Sequence, residues 1–409
     1  MSQNRDPIDP NLAGDSERDR IWAAAHAAWS AKNLPLAFHY CQGALARGMA
    51  TPDLYSLLAA IALGLRQYGQ AKRYTLLAET CNSQQAQNRR YLLIQPWGCG
   101  FWGEIDHVLS QLALAEITGR IPVVHWGARG AYPVPNMANA WEAYFEPVAG
   151  VGLSVVERDA RSFYPPWWRR ETIGVTSLEV EGGAHLRMSS LYFLGANEDV
   201  VVANAHSRML DILPWAPEGH WLASASAQSA YEILFSRYIR LLPHLKRRID
   251  EAAATLGQRP VLAVHFRAQT TEKLVEGYQR AGLEPEDYFP GVDSFLHANP
   301  TGSLFLLTDL ERCVDIFRAR YGQRLRTVSA TRLAHESEIE IRFKAGVDLK
   351  AAAEEVIVDA YVAARCDAFV GDGISGVSCA IGYLKHWAPG TFFLLRPSVI
   401  LEAGRIQPF

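Results

Sequence analysis

Twice in this chain a short, wholly apolar run ends in a glycine-rich turn that opens a helix. Tyr91-Leu92-Leu93-Ile94 leads into Gly98-Cys99-Gly100-Phe101-Trp102-Gly103, and Ala368-Phe369-Val370 leads into Gly371-Asp372-Gly373-Ile374-Ser375-Gly376. Strands without polar alternation are buried on both faces, the condition of a parallel sheet covered by helices. Further apolar runs at Ile121-Pro122-Val123-Val124, Val200-Val201-Val202, Val261-Leu262-Ala263-Val264, Leu304-Phe305-Leu306-Leu307 and Thr391-Phe392-Phe393-Leu394-Leu395 read as strands, and Arg326-Thr327-Val328 as a shorter one. Helical patterns fall between them, over 104–118, 226–256, 312–321, 349–365 and 375–384. The alternation predicts two open α/β sheets in series, with a ligand cleft at their strand C-termini, between the halves.

A chain of 409 residues has room for two or three domains. Residues 1–18 are polar and read as a loose leader. Residues 19–88 are helical and contain a repeat: Leu34, Ala37, Tyr40 and Ala44 recur 34 residues later as Tyr68, Ala71, Tyr74 and Ala78. That period is the tetratricopeptide one, and small alanines let paired helices approach closely. Residues 89–250 and 251–409 are then the two Rossmann-like halves. With 40 basic against 43 acidic residues and no long Lys/Arg run, nothing suggests a nucleic-acid surface. The six cysteines are scattered, without a C-x-x-C pair, which argues against a disulfide framework or a zinc site. No apolar stretch approaches the roughly 20 residues of a spanning helix, and no signal core opens the sequence. A cytoplasmic protein is expected.

The first glycine turn satisfies G-x-G-x-x-G, but a dinucleotide site wants a carboxylate where this chain reads His125-Trp126-Gly127. A loop that contacts substrate, or a tight structural turn, is the better reading. The loop runs on into Glu104, Asp106 and His107, placing carboxylates at a helix start that faces the expected cleft. Such a group is a favourable dipole partner or a general base. His265-Phe266-Arg267 leaves a strand of the second half, where a guanidinium fork suits a diphosphate. Ser375 and the amides of Gly376 and Val377 open a helix after the second glycine turn, a natural phosphate cradle. Gly373-Ile374-Ser375-Gly376-Val377 lacks the last glycine of a hydrolase elbow. No D-x-D pair appears near a strand end, so a metal-held nucleotide is not indicated.

Together these segments resemble the fucosyltransferase superfamily that includes the protein O-fucosyltransferases and the α1,6-fucosyltransferases. Gly100-Phe101-Trp102-Gly103-Glu104-Ile105-Asp106-His107 is similar to the family's glycine-rich loop ending in Asp-His, with Glu104 in place of Asn and one residue fewer. His265-Phe266-Arg267 is similar to its H-x-R. Asp359-Ala360-Tyr361, Asp367-Ala368-Phe369-Val370-Gly371 and Ser375 follow the register of its D-x-y-x(5)-D-x-F-x-G-x-x-x-S-S, and Leu306-Leu307-Thr308-Asp309 is similar to its strand ending Thr-Asp. The likeness implies a GT-B fold, two Rossmann-like domains facing a cleft, here preceded by the small helical region. It implies that His265 and Asp359 reach the guanine nucleotide, that Arg267 and Ser375 hold the β-phosphate, and that Asp309 lies near the nucleotide. After H-x-R the family's second arginine-like position is Ala268, and Glu272-Lys273 stands for its Asp-Lys one residue later, so fewer charges hold the diphosphate.

The reaction implied is a metal-independent, inverting transfer of fucose from GDP-fucose to an unidentified hydroxyl. Arg267, Lys273 and the helix amides at Ser375–Val377 would stabilise the departing diphosphate. Gly100, Trp102, Gly103 and His107 would meet the acceptor, and Glu104, Asp106 and Glu272 are the candidates for the base. Trp97, Trp102, Trp126, Trp167 and Trp168 offer faces for a sugar. No cofactor or metal is expected. The partners expected are the nucleotide sugar, a protein, peptide or glycan acceptor, and a protein docked on the helical repeats. GDP-mannose or UDP-N-acetylglucosamine as donor, an inactive adaptor, and a nicotinamide enzyme on the first glycine loop are the alternatives.

Overall fold

The computed structural model describes residues 15–47, 49, 51–88, 90–128, 132–180, 183–267, 283–335, 341, 346–398 and 400–401. The chain divides into two compact units, Met1–Arg89 and Arg90–Phe409.

The described residues of the first unit form four helices: α1 (Asp15–Ser30), α2 (Leu34–Ala46), α3 (Pro52–Gly64) and α4 (Tyr68–Asn88). Helix α1 thus begins inside the stretch read as a loose leader. The 34-residue repeat shows in the backbone. Lys32 and Arg66 both turn with φ near +60°, and each turn closes with one long bond, Asn33 N to Ala28 O at 2.9 Å and Gln67 N to Ala62 O at 2.8 Å. This is a Schellman-type helix end, used twice. Asn33 and Thr51 accept from Leu36 N and Leu54 N, and a proline sits in the first turn of α2 and of α3. Ala37, Ala44, Ala71 and Ala78 are all buried, whereas the repeated position Tyr68 is exposed.

The second unit carries β1 (Tyr91–Ile94), α5 (Phe101–Thr118), β2 (Ile121–Val124), α6 (Leu153–Asp159), β3 (Phe163–Tyr164), β4 (Val200–Ala203), α7 (Met209–Ile212), α8 (Ala227–Tyr238) and α9 (Pro243–Ala254). It continues with β5 (Val261–Phe266), α10 (Phe289–Ala298), β6 (Ser303–Thr308), α11 (Glu311–Tyr321), β7 (Leu325–Arg326), α12 (Leu349–Ala364), β8 (Ala368–Gly371), α13 (Gly376–Leu384) and β9 (Phe392–Leu394). Among the described residues two parallel sheets result, ordered β2-β1-β4-β3 and β7-β6-β5-β8-β9. Strand residues alternate between cores. Leu92, Ile94, Val201 and Ala203 of the first sheet and Val261, Ala263, Phe305 and Phe369 of the second all enter one cluster, with residues of α5, α8, α12 and α13. The opposite faces pack separately. One face of each sheet therefore drains into a shared helical core, which brings the two carboxyl edges toward a common cleft.

The single helix expected over 226–256 is two. Pro243 has no N–H to give and opens α9. The residues before it pair with the first half instead: Leu241 bridges Phe145, and Leu242 N donates to Tyr144 O. The boundary expected at 250/251 falls inside α9.

Candidate active site

In the parallel register of β5 and β6, His265 lies opposite Leu307 and Phe266 opposite Thr308. The next residues, Arg267 and Asp309, leave the sheet side by side, and Arg267 Nη1 lies 2.7 Å from Asp309 Oδ2. Both line a cleft of about 360 Å³, as do His265, Asp359, Ser375, Gly376 and Val377 from the second half and Gly100, Trp102 and Gly103 from the first. That volume is within the range of small-molecule sites.

The turn before α13 is built for close approach. A Cβ on Gly373 would sit 2.0 Å from Arg396 O, so only glycine fits. Ser375 N donates to Asp372 O at 3.0 Å, so this amide belongs to the turn, and not to a phosphate as expected. The hydroxyl of Ser375 makes no cap bond. The first helical bond runs from Cys379 N to Ser375 O, which leaves the amides of Gly376, Val377 and Ser378 ahead of the hydrogen-bond ladder. Gly376 abuts α5: its Cβ position is 3.4 Å from Gly103 N and 3.7 Å from Trp102 Cβ. Two helix N-termini thus meet at one wall of the cleft, and their dipoles add to the pull on an anion. Tyr132 OH accepts from Phe101 N at 2.9 Å and lines the same wall.

His265 is buried, with Nδ1 2.8 Å from Ser378 Oγ. Burial first, and then Arg267, push its pKa down to about 3, so it is neutral at physiological pH and can donate or accept one hydrogen bond. Asp359 lies on α12 with Oδ1 shielded and, among the described residues, unpartnered. Burial lifts its pKa to about 7, against a downward pull from Arg332. A carboxylate poised near neutrality, facing a cleft, is the kind of group that binding sites perturb.

The sequence reading missed Arg396, which lines the cleft and is paired with Asp372, its Nε 2.9 Å from Asp372 Oδ1. It leaves the carboxyl end of β9 as Arg267 leaves β5, and an arginine directly after an apolar strand was the available signal. A second guanidinium, paired with Asp372, thus stands at the cleft beside Arg267, which is paired with Asp309. Glu355, also on the cleft, accepts from Thr331 N. Glu272 and Lys273 lie outside the described residues.

Three candidates from the first loop do not line the cleft. Both oxygens of Glu104 are taken by backbone amides, Trp97 N at 2.9 Å, Gly98 N at 2.5 Å and Cys99 N at 2.8 Å. It shapes the loop. His107 is fully buried, its Nε2 3.0 Å from Gln95 O, and burial drives its pKa down to about 3. Asp106 is buried and accepts from Tyr383 OH at 2.8 Å, joining α5 to α13. Among the five tryptophans, Trp102, Trp126 and Trp168 fill core, and Trp102 Nε1 donates to Val356 O. Trp97 and Trp167 keep partly open faces.

Burial lifts the Asp106 carboxyl from 3.8 to about 8, with the Tyr383 hydroxyl pulling the other way. The folded protein then keeps a proton that the unfolded chain releases over that interval, so stability falls as pH rises through it. Asp106→Asn copies the protonated form. Relative to this variant, wild type should lose up to about 1.4 kcal/mol per pH unit between pH 5 and 8, as read by urea unfolding. Parallel stability curves for the two proteins would place the ionised form in the core.

No family model matches the sequence, and no curated protein matches it. Among solved structures similar proteins are found. A NodZ alpha-1,6-fucosyltransferase co-crystallised with GDP is 18% identical, with 72% of this chain and 91% of that one covered and a TM-score of 0.44. Fucosyltransferase NodZ from Bradyrhizobium is 19% identical, covering 72% and 92%, with a TM-score of 0.43. POFUT1 in complex with GDP is 14% identical, covering 72% and 95%, with a TM-score of 0.43. None of these scores reaches 0.5, so what the chain does has to be read from its own site.

Proposed function

We propose that this chain is a glycosyltransferase, and that its donor is GDP-fucose, held in the cleft of the second unit without a metal. The observation that carries the reading is convergence. A guanidinium at the exit of β5, the open amides and serine hydroxyl of α13, and a shielded carboxylate on α12 line one cleft at a carboxyl sheet edge. Charge-assisted donors suit a diphosphate, and a carboxylate suits the N–H edge of guanine. The site motifs resemble those of the fucosyltransferase superfamily at the same residues. As the glycosidic bond to the diphosphate breaks, negative charge grows on the phosphate. Arg267, Arg396 and the amides of Gly376 and Val377 are placed to meet it. An acceptor hydroxyl attacks from the opposite face and inverts the anomeric carbon. The helical unit reads as a pair of tetratricopeptide-like repeats that dock a protein partner.

The test is titration with GDP, UDP and ADP. GDP should raise the melting temperature, and the other two should not. Guanine binding needs Asp359 ionised, so complex formation expels its proton. With the free carboxyl at about 7, GDP should bind roughly tenfold more weakly at pH 6 than at pH 8. Part of any such trend comes from the phosphate itself. Asp359→Asn, which cannot titrate, isolates the rest. Stabilisation by UDP and not by GDP would sink the fucosyl reading.

A further inference from the structure

The first half holds an unassigned group beside the cleft. Trp97 follows β1 and His206 follows β4, both past the carboxyl ends of neighbouring strands, and their rings lie 6.1 Å apart. The guanidinium of Arg187 rests 4.5 Å above the Trp97 ring. Its backbone is fixed: the carbonyl of the preceding Leu186 accepts from Asn204 Nδ2 at 3.2 Å and from the exposed Trp167 at 3.3 Å. Gly98, in the left-handed region at φ +102°, passes so close that a Cβ there would lie 3.7 Å from Arg187 Nη2. Two residues beyond Trp97, Cys99 lines the donor cleft. Among the described residues no carboxylate pairs with Arg187, and its Nε is shielded with no hydrogen-bond partner.

An arginine kept for packing alone would have its buried Nε satisfied, because leaving a buried donor unmet is unfavourable. Here the charge is held in place by an aromatic face and left unneutralised, as in a site prepared for an anion. Flanking aromatic faces, partly open to solvent, suit the C–H face of a sugar ring. We infer that Trp97, Arg187 and His206 form the acceptor subsite, and that the acceptor is an acidic saccharide, its carboxylate or phosphate taken by Arg187 and its ring laid against Trp97. This rests on the glycosyltransferase reading and names the acceptor class for it.

The probes are tri-galacturonate, neutral maltotriose and a hexaglutamate peptide, titrated by calorimetry against wild type, Arg187→Ala and Arg187→Lys. GDP thermal shifts are read in parallel. Tri-galacturonate should bind wild type at least tenfold more tightly than maltotriose. Arg187→Ala should lose at least tenfold of that affinity, and Arg187→Lys less, while the GDP shift is unchanged in both. The inference is overturned if no saccharide binds, if Arg187→Ala binds tri-galacturonate like wild type, or if maltotriose or hexaglutamate binds as tightly. If wild type shows no GDP shift, the donor reading fails by itself, and the loss of tri-galacturonate binding on Arg187→Ala still supports the saccharide site.

Discussion

Arg267→Ala should weaken GDP binding about 10- to 100-fold, and it should cost transfer more than it costs binding. The side chain is half-exposed at the cleft, and its Nη1 sits 2.7 Å from Asp309, so the guanidinium is aimed before any ligand arrives. Hydrogen bonds between charged partners contribute about 1.5–3 kcal/mol, which sets the lower range for the ground state. The diphosphate gains charge as the sugar leaves, so a donor aimed at it contributes more in the transition state, and kcat should fall by a further factor of about 100. Lysine restores charge without the fork, and Arg267→Lys should recover only part of both losses. In Arg267→Ala the Asp309 carboxylate remains beside the site and repels the diphosphate. Arg267→Ala/Asp309→Asn should therefore bind GDP better than Arg267→Ala alone. Calorimetry and single-turnover assays separate the two effects. A GDP affinity unchanged in Arg267→Ala would remove the central support for a diphosphate site here.

Much of this arrangement was legible in the sequence because strand ends are legible. An apolar run that stops at a charged residue marks both a buried strand and what leaves its carboxyl end. His265, Arg267 and Asp309 were found that way, and the glycine turn before Ser375 marked the helix start. What could not be read was where a side chain spends its hydrogen bonds. Glu104, Asp106 and His107 form a polar run at a helix start, and nothing in their spacing says that the first folds back onto three amides while the others are buried. The helix break at Pro243 was hidden for a similar reason. Proline is as compatible with a new helix start as with a kink, and the decision belongs to the pairing of Leu241 and Leu242 with the first half. In the first unit small residues recur at a fixed interval, and Ala37 and Ala71 are both buried.

Glu104 gives the sharpest separation of structure from chemistry. Its carboxylate accepts from Trp97, Gly98 and Cys99 in succession and fastens the whole turn between β1 and α5. It is 1% exposed, and burial raises its pKa while the three amides pull it down. Replacing it with alanine strands three donors at once. At about 1–3 kcal/mol for each unmet buried group, with partial relief from water entering the loop, Glu104→Ala should destabilise the second unit by about 3–5 kcal/mol. Glutamine is no remedy, because its amide nitrogen cannot accept from a backbone N–H, so Glu104→Gln should lose at least half as much. Cys99 and Gly100 line the cleft, so GDP binding should weaken along with the fold, and activity should track the fraction of intact protein across a urea series. A general base behaves otherwise. Its removal leaves stability and GDP affinity near wild type, while transfer falls by orders of magnitude. If Glu104→Ala unfolds like wild type and still loses transfer, the carboxylate leaves its amides during turnover and takes the proton itself. If stability collapses first, the base lies elsewhere, and the partly open imidazole of His206, beside Trp97 and with its pKa lowered by burial, becomes the first residue to replace.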